Sequence, residues 1–407
     1  MMTEAGGDAA DVGLALLGVN VLEVQPLESA QYAGRLLANL GASVSKLEPR
    51  EGDPLRKVGP FVRRNGAMTS VPFEYVNGGK RSIAIDYTSQ IGRVVLSRAV
   101  DASEIVVTSP DYLPEIVAAA NAGVSRWPTI IASCGAESGS AAIPSTEFTR
   151  FNGSVSAQLV PLPSKEWRPA MAGRHSFELM SGTGVALAIM ASLWELRKTT
   201  WSTSPPPIVF VDVSQFAYGV WLEKGVLHRT QRNPVVLRPY TNGYSFGGNL
   251  RCQDGRYICL FSLEEHHWHY LAVLIGKKEW LDDERFSDGV RRLQNGEIIN
   301  AALREWCGSR SAHTAVEECR EAGVVVGEVF TPTDLLARSI FRERRFFTGG
   351  DSTSSGEFAI GLPTGPGLSQ KVVGPAPQLG QDSREFLKAL GFNDNEMDDA
   401  EMWGSLG

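Results

Sequence analysis

The chain has 407 residues, which predicts either two domains or one large domain that carries a smaller one. Hydrophobic residues make up 43% and charged residues 21%, as in soluble globular proteins with a large core. The formal net charge of −7 argues against a general nucleic-acid or anionic-membrane binder, because such partners favour an excess of Lys and Arg on one face.

The five cysteines are odd in number and form no C-x-x-C pair, so neither a disulfide framework nor a zinc knuckle is indicated. Residues 1–17 are predicted to be a flexible start without a basic targeting region. The apolar stretch Val12–Val24 is too short to span a bilayer and contains Asn20 and Glu23. These features predict a cytoplasmic protein.

The first half of the chain alternates short β-branched runs with helical patterns. The predicted strands are Gly18–Val24, Ala42–Leu47, Ser82–Asp86, Glu104–Val107, Thr129–Ser133 and Ile208–Val213. The predicted helices are Ser29–Leu40, a segment near Ile91–Val100, and a long apolar helix from about Ser181 to Arg197. This alternation favours a mostly parallel sheet with helices on both faces. We therefore predict a large α/β domain over residues 18–227.

The pattern changes after residue 227. Leu250–Cys252 and Arg256–Leu260, joined through Gln253, Asp254 and Gly255, are typical of a β-hairpin. Helical patterns rich in Trp and Leu follow, and a smaller α+β domain is predicted at 228–330. Residues 331–407 are predicted to be a linker and a C-terminal return to the large domain.

General motifs identify no chemistry, because the sequence has no Walker loop, no G-x-G-x-x-G after the first strand and no G-x-S-x-G elbow that joins a predicted strand to a predicted helix. Ser181–Gly184 opens a predicted helix and could hold an anion. The alternative is that Gly182 and Gly184 permit close helix packing, which we favour. His266 and His269 share a helix face, but no carboxylate at a known metal spacing accompanies them, so no metal site is predicted.

Two charged features leave alternatives open. The basic residues between Arg50 and Arg64 either meet the phosphates of a nucleotide-like ligand or lie in a solvated loop. Glu178, at the head of an apolar helix, would face the positive end of the helix dipole. It is otherwise an ordinary glutamate of a helix start.

Several blocks together resemble the class III CoA-transferases (CaiB/BaiF). The most specific match is Asn77–Asp86, with the sequence NGGKRSIAID, and the blocks span about residues 18–392 in the family's order. The other blocks are Val21–Val24, Tyr32–Ala42, Lys46–Pro49, Gly52–Arg56, Gly182–Leu193, Val211–Ser214, Asp254–Ile258 and Ala376–Gln381.

This resemblance implies a large doubly wound, Rossmann-like domain, a smaller α+β domain and long linkers. It also implies a homodimer whose chains interlock like linked rings, although some family members pair with a paralogous, unlike subunit. Coenzyme A would be a substrate on the large domain. No tightly bound cofactor or metal is expected.

The family's catalytic residue is an aspartate four positions before the glycine that matches Gly182, and this chain has Glu178 there. Such a carboxylate attacks the thioester carbonyl of an acyl-CoA, forming a mixed anhydride and then an enzyme–CoA thioester. The extra methylene of glutamate moves the nucleophile by roughly 1.5 Å. The resemblance therefore implies Glu178 as the nucleophile.

Other positions carry over from the family in the same way. Glu28 stands where formyl-CoA transferases have a glutamine, so it could share the site with Glu178, and the like charges would raise one pKa. Gly247 and Gly248 correspond to a glycine loop that shields the site from water. The contacts to CoA carry over to Ser29, Ile85, Thr108 and Ser109.

The predicted function is CoA transfer between an acyl-CoA and a free carboxylic acid, without nucleic-acid or membrane partners. One alternative is a non-catalytic subunit of a heteromeric CoA-transferase, which the replaced aspartate also fits. An acyl-CoA racemase or isomerase is disfavoured, because racemases of the family use a histidine and Pro144–Gly153 contains none.

Overall fold

The computed structural model describes residues 13–64, 66–121, 130–135, 146–154, 173–199, 208–222, 246–262, 264–344, 346–349, 358–363, 368–371 and 374–402. These residues form two compact units. The first contains residues up to Leu222 and from Ile340 onward, and the second runs from Phe246 to Ser339. Residues 1–12 and the predicted boundary near residue 227 lie outside the described residues, so the predicted domain limits remain predictions.

The first unit is built on a parallel sheet. The first strands of this unit are β1 (Asn20–Val24), β2 (Ser43–Glu48), β3 (Phe61–Arg64), β4 (Ala67–Ser70), β5 (Arg81–Ala84), β6 (Ile105–Thr108), β7 (Ile130–Gly135) and β8 (Val209–Ser214). Strands β3 and β4 form a separate hairpin. The other six form one sheet in the order β5-β2-β1-β6-β7-β8. All neighbours in it run parallel. The six sheet strands predicted from the sequence are thus confirmed, with small shifts at their ends.

The strand order reverses between β1 and β6, because the chain builds outward from β1 to β2 and β5 and later from β6 to β8. In open parallel sheets the loops at the carboxyl ends of the strands diverge at such a point and leave a crevice. The predicted α/β architecture with a large parallel sheet is confirmed, and its topology indicates where a ligand site lies.

Helices cover both faces of this sheet. They are α1 (Glu28–Asn39), α2 (Val71–Asn77), α3 (Gln90–Asp101), α4 (Leu113–Asn121), α5 (Glu147–Gly153), α6 (Ser176–Lys198) and α7 (Gln215–Leu222). Apolar residues of α1 and α6 form one core with β1, β6 and β7. Apolar residues of α3 and α4 form a second core with the strand residues whose side chains point to the other face of the sheet. Successive residues of a strand alternate between the two faces.

Helix α6 begins at Ser176, earlier than predicted, and packs closely against α1. A Cβ on Gly182 would lie 2.3 Å from the backbone oxygen of Ser29, and one on Gly184 would lie 2.5 Å from the ring of Tyr218. Both glycines are therefore needed for packing. The possibility that Ser181–Gly184 holds an anion is wrong. These residues lie inside the helix, where the backbone N–H groups form hydrogen bonds within the helix.

By length and composition α6 could cross a membrane. However, Val185, Ile189 and Leu193 of this helix belong to the core that covers the sheet. We therefore interpret α6 as a core helix.

The second unit has a three-stranded antiparallel sheet in the order β11-β10-β9. Its strands are β9 (Gly248–Arg251), β10 (Tyr257–Phe261) and β11 (Val325–Val329). Its helices are α8 (Glu265–Leu274), α9 (Gly289–Gln294), α10 (Gly296–Gly308), α11 (Ala312–Glu321) and α12 (Pro332–Ala337), and α13 (Ser339–Glu343) begins at its end. The predicted hairpin at residues 250–260 is confirmed as β9 and β10. Within the described ranges no His, Cys, Asp and Glu side chains group as metal ligands.

The C-terminal part of the first unit contains β12 (Phe347–Gly349), β13 (Phe358–Ile360), α14 (Ser383–Ala389) and α15 (Asp394–Met402). The backbone N–H of Ser82 donates to Asp382 Oδ2 at 2.8 Å, and that of Ala84 donates to Ser383 Oγ at 3.1 Å. These bonds attach the start of α14 to β5.

Candidate active site

Glu178 lies in the first turn of α6, and only 2% of its surface is exposed. Its Oε2 accepts hydrogen bonds from the backbone N–H of Ser29 at 3.1 Å and from Gln215 Nε2 at 2.9 Å. Its Oε1 forms an ion pair with the guanidinium of Arg150. A buried carboxylate is thus held by a cation, an amide and the free N–H of a helix start, where the helix dipole favours negative charge.

The sheet topology explains why these groups meet. Ser29 follows the carboxyl end of β1, and Gln215 follows β8 directly. Gln215 Nε2 also lies 3.2 Å from Ser29 Oγ and 3.1 Å from Ser181 Oγ. One side-chain amide therefore links α1, α6 and the start of α7 around the Glu178 carboxylate.

Arg150 reaches the site from the short helix α5. Thr146 caps this helix through a capping box with Thr149, which fixes its start. Arg150 is 6% exposed, so the Arg150–Glu178 pair is buried. Removing one partner of such a pair leaves an uncompensated charge inside the protein.

A second acid–base pair lies at the start of α6. His175 Nδ1 is 2.7 Å from Glu28 Oε1. The backbone N–H of His175 donates to Glu147 Oε2 at 2.8 Å. His175 has a φ of 69°, a left-handed conformation that is uncommon for residues other than glycine and often marks functional sites.

Burial raises the pKa of Glu28 above its ordinary value, the bond to His175 opposes that shift, and the charges of Glu178 and Glu147 add to it. The sequence predicted that Glu28 and Glu178 share a site and that repulsion raises one pKa. The direction agrees for Glu28, but desolvation, rather than repulsion between the two carboxylates, is the largest cause.

Glu28, Arg150, His175 and Glu178 are among the residues that line a cavity of about 810 Å³. This volume is within the usual range of small-ligand sites. The ionisable residues of the cavity lining are Glu28, Asp53, Glu147, Arg150, Arg174, His175 and Glu178. Apolar groups, among them Leu27, Leu55, Val58 and Phe148, form another part of the lining. The site can therefore accept a ligand with an apolar part beside a carboxylate that is fixed in place.

A separate buried ionic cluster lies under the wall of this cavity. Lys80 Nζ donates to Glu23 Oε1 at 2.7 Å, to the Gln31 backbone oxygen at 2.7 Å and to Asn77 Oδ1 at 3.0 Å. Lys46 Nζ lies 2.7 Å from Asp53 Oδ2. Burial lowers the pKa of Lys80 to about 8, although Glu23 opposes the shift. Gln31 and Asp53 also line the cavity, so the cluster supports its wall.

The basic residues at 50–64 are partly used within the fold. Arg56 binds Glu48 at 2.7 Å and also donates to the backbone oxygen of Pro377. Arg64 binds Glu74 at 2.6 Å. Two members of this group therefore stabilise loops of the first unit.

The remaining predicted residues take other positions. Ile85 is fully buried in the core, and Thr108 Oγ1 donates to the backbone oxygen of Val24 at 2.8 Å. Ser109 is 3% exposed. Gly247 and Gly248 lie in the second unit with φ of 92° and 84°. The predicted contacts of these residues with CoA or with a shielding loop stay predictions.

The sequence analysis did not identify Arg150, Gln215 or His175 as site residues. Gln215 had one usable signal, its position directly after a buried parallel strand, which Ser29 shares. Arg150 had none, because a short helix contacts a residue 28 positions away only through the tertiary fold. His175 supplies a histidine from outside Pro144–Gly153. The lack of a histidine in that segment is therefore a weaker reason to disfavour a racemase.

Comparison with known proteins decides the family. The family described as CoA-transferase family III matches residues 16–383. The chain belongs to this family. The resemblance noted from the sequence blocks is confirmed.

Two relatives and one solved structure illustrate this membership of family III. The chain is 25% identical to a subunit of succinyl-CoA:(R)-benzylsuccinate CoA-transferase from Thauera aromatica, over 93% of this chain and 95% of that one. It is 24% identical to the alpha subunit of succinyl-CoA–L-malate CoA-transferase from Chloroflexus aurantiacus, over 93% and 89%. A CaiB/BaiF protein from Brucella suis has the same fold, with a TM-score of 0.79, 21% identity, and coverage of 93% of this chain and 100% of that one.

Proposed function

We propose that this class III CoA-transferase moves CoA between an acyl-CoA thioester and a free carboxylic acid, with the Glu178 carboxylate as its nucleophile. The observation that carries the proposal is a buried carboxylate that lines a cavity of about 810 Å³ and is held by Ser29, Gln215 and Arg150. Oriented hydrogen bonds of this kind reduce the reorganisation that a covalent step requires.

The reaction has two halves. Glu178 attacks the donor thioester, the C–S bond breaks, and CoA leaves as a thiolate; the thiolate then attacks the Glu178 carbonyl of the anhydride and releases the donor acid as a carboxylate. In the second half the acceptor carboxylate attacks the glutamyl–CoA thioester and again frees CoA thiolate. The thiolate attacks the acceptor carbonyl, which yields the new acyl-CoA and restores the Glu178 carboxylate.

The remaining site residues fit supporting roles. Glu28 and His175 form a second polar pair beside the reacting carboxylate. Ser29, Ile85, Thr108 and Ser109 are proposed to contact CoA, Ile85 through its backbone because its side chain is buried. Gly247 and Gly248 are proposed to shield intermediates from water, and the enzyme is proposed to act in the cytoplasm.

Trapping tests this proposal. The purified protein is incubated with an acyl-CoA and then with hydroxylamine, and the peptide that contains Glu178 is analysed by mass spectrometry. A hydroxamate at Glu178 that is absent from Glu178→Gln supports the proposal. An unmodified Glu178 after exposure to a range of acyl-CoAs contradicts it, and exchange of the substrate α-proton without an acceptor acid would instead indicate proton transfer at this site.

One observation favours a second candidate, a non-catalytic subunit of a heteromeric transferase. Both carboxyl oxygens of Glu178 are occupied by partners of this chain, which also fits a structural carboxylate. The relatives include subunits of heteromeric enzymes, to judge from the alpha and beta subunits of the malate transferase. No hydroxamate, together with co-purification of a paralogue that has Asp at the matching position, would favour this candidate.

Both candidate functions involve an oligomer. Met180, Leu187 and Trp194 are spaced seven residues apart on α6 and are 45%, 67% and 64% exposed. Residues seven apart lie on nearly the same helix face, so α6 presents an apolar stripe. We propose that a second chain covers it, as in a homodimer or a heteromer; mass measurement of the native protein distinguishes the two.

A further inference from the structure

The two carboxyl oxygens of Glu178 lie in different surroundings. Oε2 accepts hydrogen bonds from the backbone N–H of Ser29 at 3.1 Å and from Gln215 Nε2 at 2.9 Å. Neither of these two residues has measurable exposure, and neither is among the described residues that line the cavity. Oε1 instead meets the guanidinium of Arg150, a residue that does line the cavity. The fold therefore holds Oε2, whereas Oε1 lies on the side of the cavity.

Gln215 faces the Glu178 carboxylate with its amide nitrogen, because an amide oxygen in that place would meet the lone pairs of Oε2. The two N–H bonds of this amide are shared among Glu178 Oε2, Ser29 Oγ and Ser181 Oγ, at 2.9, 3.2 and 3.1 Å from the nitrogen. All of these residues are buried. The amide is thus fixed in place before a substrate binds.

The proposed reaction treats the two oxygens differently. One of them attacks the donor thioester and becomes the bridging oxygen of the anhydride. When the CoA thiolate attacks Glu178 Cδ, the bond from Cδ to this bridging oxygen breaks, and the oxygen leaves with the donor acid. The other oxygen remains on Cδ as the carbonyl oxygen of the thioester. The acceptor carboxylate then supplies a new bridging oxygen, which stays on Glu178 when the thiolate attacks the acceptor carbonyl.

The oxygen that remains also carries the negative charge of two tetrahedral intermediates. The first forms when the CoA thiolate attacks Cδ of the anhydride, and the second forms when the acceptor carboxylate attacks Cδ of the thioester. In each, the electron pair of the C=O bond moves onto the retained oxygen and returns when the leaving group departs. Hydrogen-bond donors that are already fixed at such an oxygen stabilise this charge without reorganisation.

We propose that Oε2 is the retained oxygen of Glu178, that Oε1 is exchanged for an acceptor oxygen in every turnover, and that Gln215 is a catalytic residue that stabilises the charge on Oε2. This assignment rests on the proposed function and adds Gln215 to it as an oxyanion donor, together with the backbone N–H of Ser29. Rotation of the carboxyl group, which would exchange the two oxygens, would have to break both hydrogen bonds of Oε2. The fold therefore keeps the oxygens distinct from one turnover to the next.

Counting isotopes tests the assignment in the wild-type protein. Many turnovers are run with an excess of an acceptor acid in which both carboxyl oxygens are heavy isotopes, and the peptide containing Glu178 is then fragmented and weighed. One heavy oxygen in each Glu178 side chain is expected, and this number should not rise with further turnovers. A second heavy oxygen that accumulates with turnover would show that the two oxygens change places, which would overturn the assignment.

Gln215→Met tests the role of the amide. The thioester form is prepared with an acyl-CoA, freed of small molecules and mixed with an acceptor acid in a single turnover. The rate constant at saturating acid should fall by about 10²–10³-fold. The half-saturating acid concentration should stay within roughly threefold of wild type, because Gln215 is not among the described residues of the cavity lining. Hydroxylamine attacks the same carbonyl carbon, so its reaction should slow by a similar factor.

Gln294→Met is the matched control, because Gln294 is exposed in the second unit, and this variant should react as wild type does. The isotope count requires no variant, so the assignment stays testable if Gln215→Met does not fold.

The outcomes separate this assignment from the proposed function. If the Glu178 peptide of the wild type gains no heavy oxygen while transfer proceeds, the proposed function fails and the assignment fails with it. If the peptide is labelled but gains two heavy oxygens, or if Gln215→Met reacts as fast as wild type, the assignment alone is overturned.

Discussion

The first unit contains two buried ionic clusters that differ in what surrounds them. Around Glu23, Lys80 Nζ donates hydrogen bonds to Glu23 Oε1, Gln31 O and Asn77 Oδ1, and neither the Glu23 nor the Lys80 side chain has measurable exposure. Around Glu178, one oxygen meets Arg150 and the other meets Ser29 and Gln215, at the edge of a cavity.

This difference shows how similar charges serve different purposes. The Glu23 cluster joins β1, β2 and the start of β5. Glu23 is not among the described residues that line the cavity next to Glu178. Buried ion pairs of this kind contribute more to a unique arrangement than to net stability. The Glu178 cluster has the same type of pair, but a ligand can reach it.

The largest expected effect concerns activity. Glu178→Gln should lower transferase activity by about 10³-fold or more, because an amide cannot form the anhydride. Glu23→Gln, after correction for the folded fraction, should keep activity within roughly threefold, because Glu23 only supports the wall. Steady-state assays with an acyl-CoA and an acid measure both; equal losses in the two variants would remove the distinction between the clusters.

The next effect concerns stability. Lys80→Met should destabilise the first unit by about 3–5 kcal/mol, because it removes the cation that binds Glu23 Oε1 and leaves this buried carboxylate to the more distant Lys46, which lies 3.8 Å from Glu23 Oε2 and is paired with Asp53. Lys388→Met removes a cation that is 57% exposed beside Asp394 and should cost less than about 1 kcal/mol. Urea unfolding compares the two, and equal costs would mean that the Glu23 cluster is accessible to water.

A backbone position tests the tightness of the same cluster. A Cβ on Gly34 would lie 1.9 Å from Glu23 Oε1 and 3.3 Å from Lys80 Nζ. Gly34→Ala should therefore destabilise by about 1–3 kcal/mol through overpacking, despite the higher helix propensity of alanine. Gly374→Ala, where a Cβ meets no atom of the described residues within 4 Å, is the control; a neutral Gly34→Ala in urea unfolding would show that the Glu23 side chain can move aside.

The smallest expected effect depends on pH and concerns the cavity. Burial raises the pKa of Glu28 above 4.5, so the folded protein holds this proton to higher pH than the unfolded chain does. The contribution of Glu28 to stability is therefore present below pH 4.5 and is lost as the pH rises through the folded pKa. Relative to wild type, Glu28→Gln should become more stable as the pH rises from 4.5 toward neutrality, and a difference that stays constant or falls in urea unfolding would contradict this sign.

The sequence predicted the parallel sheet well, for physical reasons. The strands β6 (IVVT) and β7 (IIASCG) are almost continuous runs of apolar, β-branched or small residues, a pattern that is typical of fully buried parallel strands. Glu178 and Glu28 were proposed as site residues from their positions relative to the family blocks. Their partners were not, because Arg150, Gln215 and His175 reach the site through tertiary contacts that leave no local pattern.

The conformation of His175 is a particular example. Helix α6 was predicted to start at Ser181, but it starts at Ser176 behind a left-handed histidine. Local propensity does not favour a histidine there. Contacts with Glu28 and Glu147 support the conformation, and such contacts exist only in the folded unit.

Oxygen transfer tests most directly whether Glu178 is the nucleophile. With an acceptor acid whose carboxyl group carries a heavy oxygen isotope, each turnover through an anhydride leaves one labelled oxygen in the side chain that formed it. We predict that the label accumulates in the peptide containing Glu178 during transfer. Turnover that leaves this peptide unlabelled would show that the carboxylate of Glu178 does not take part in the reaction.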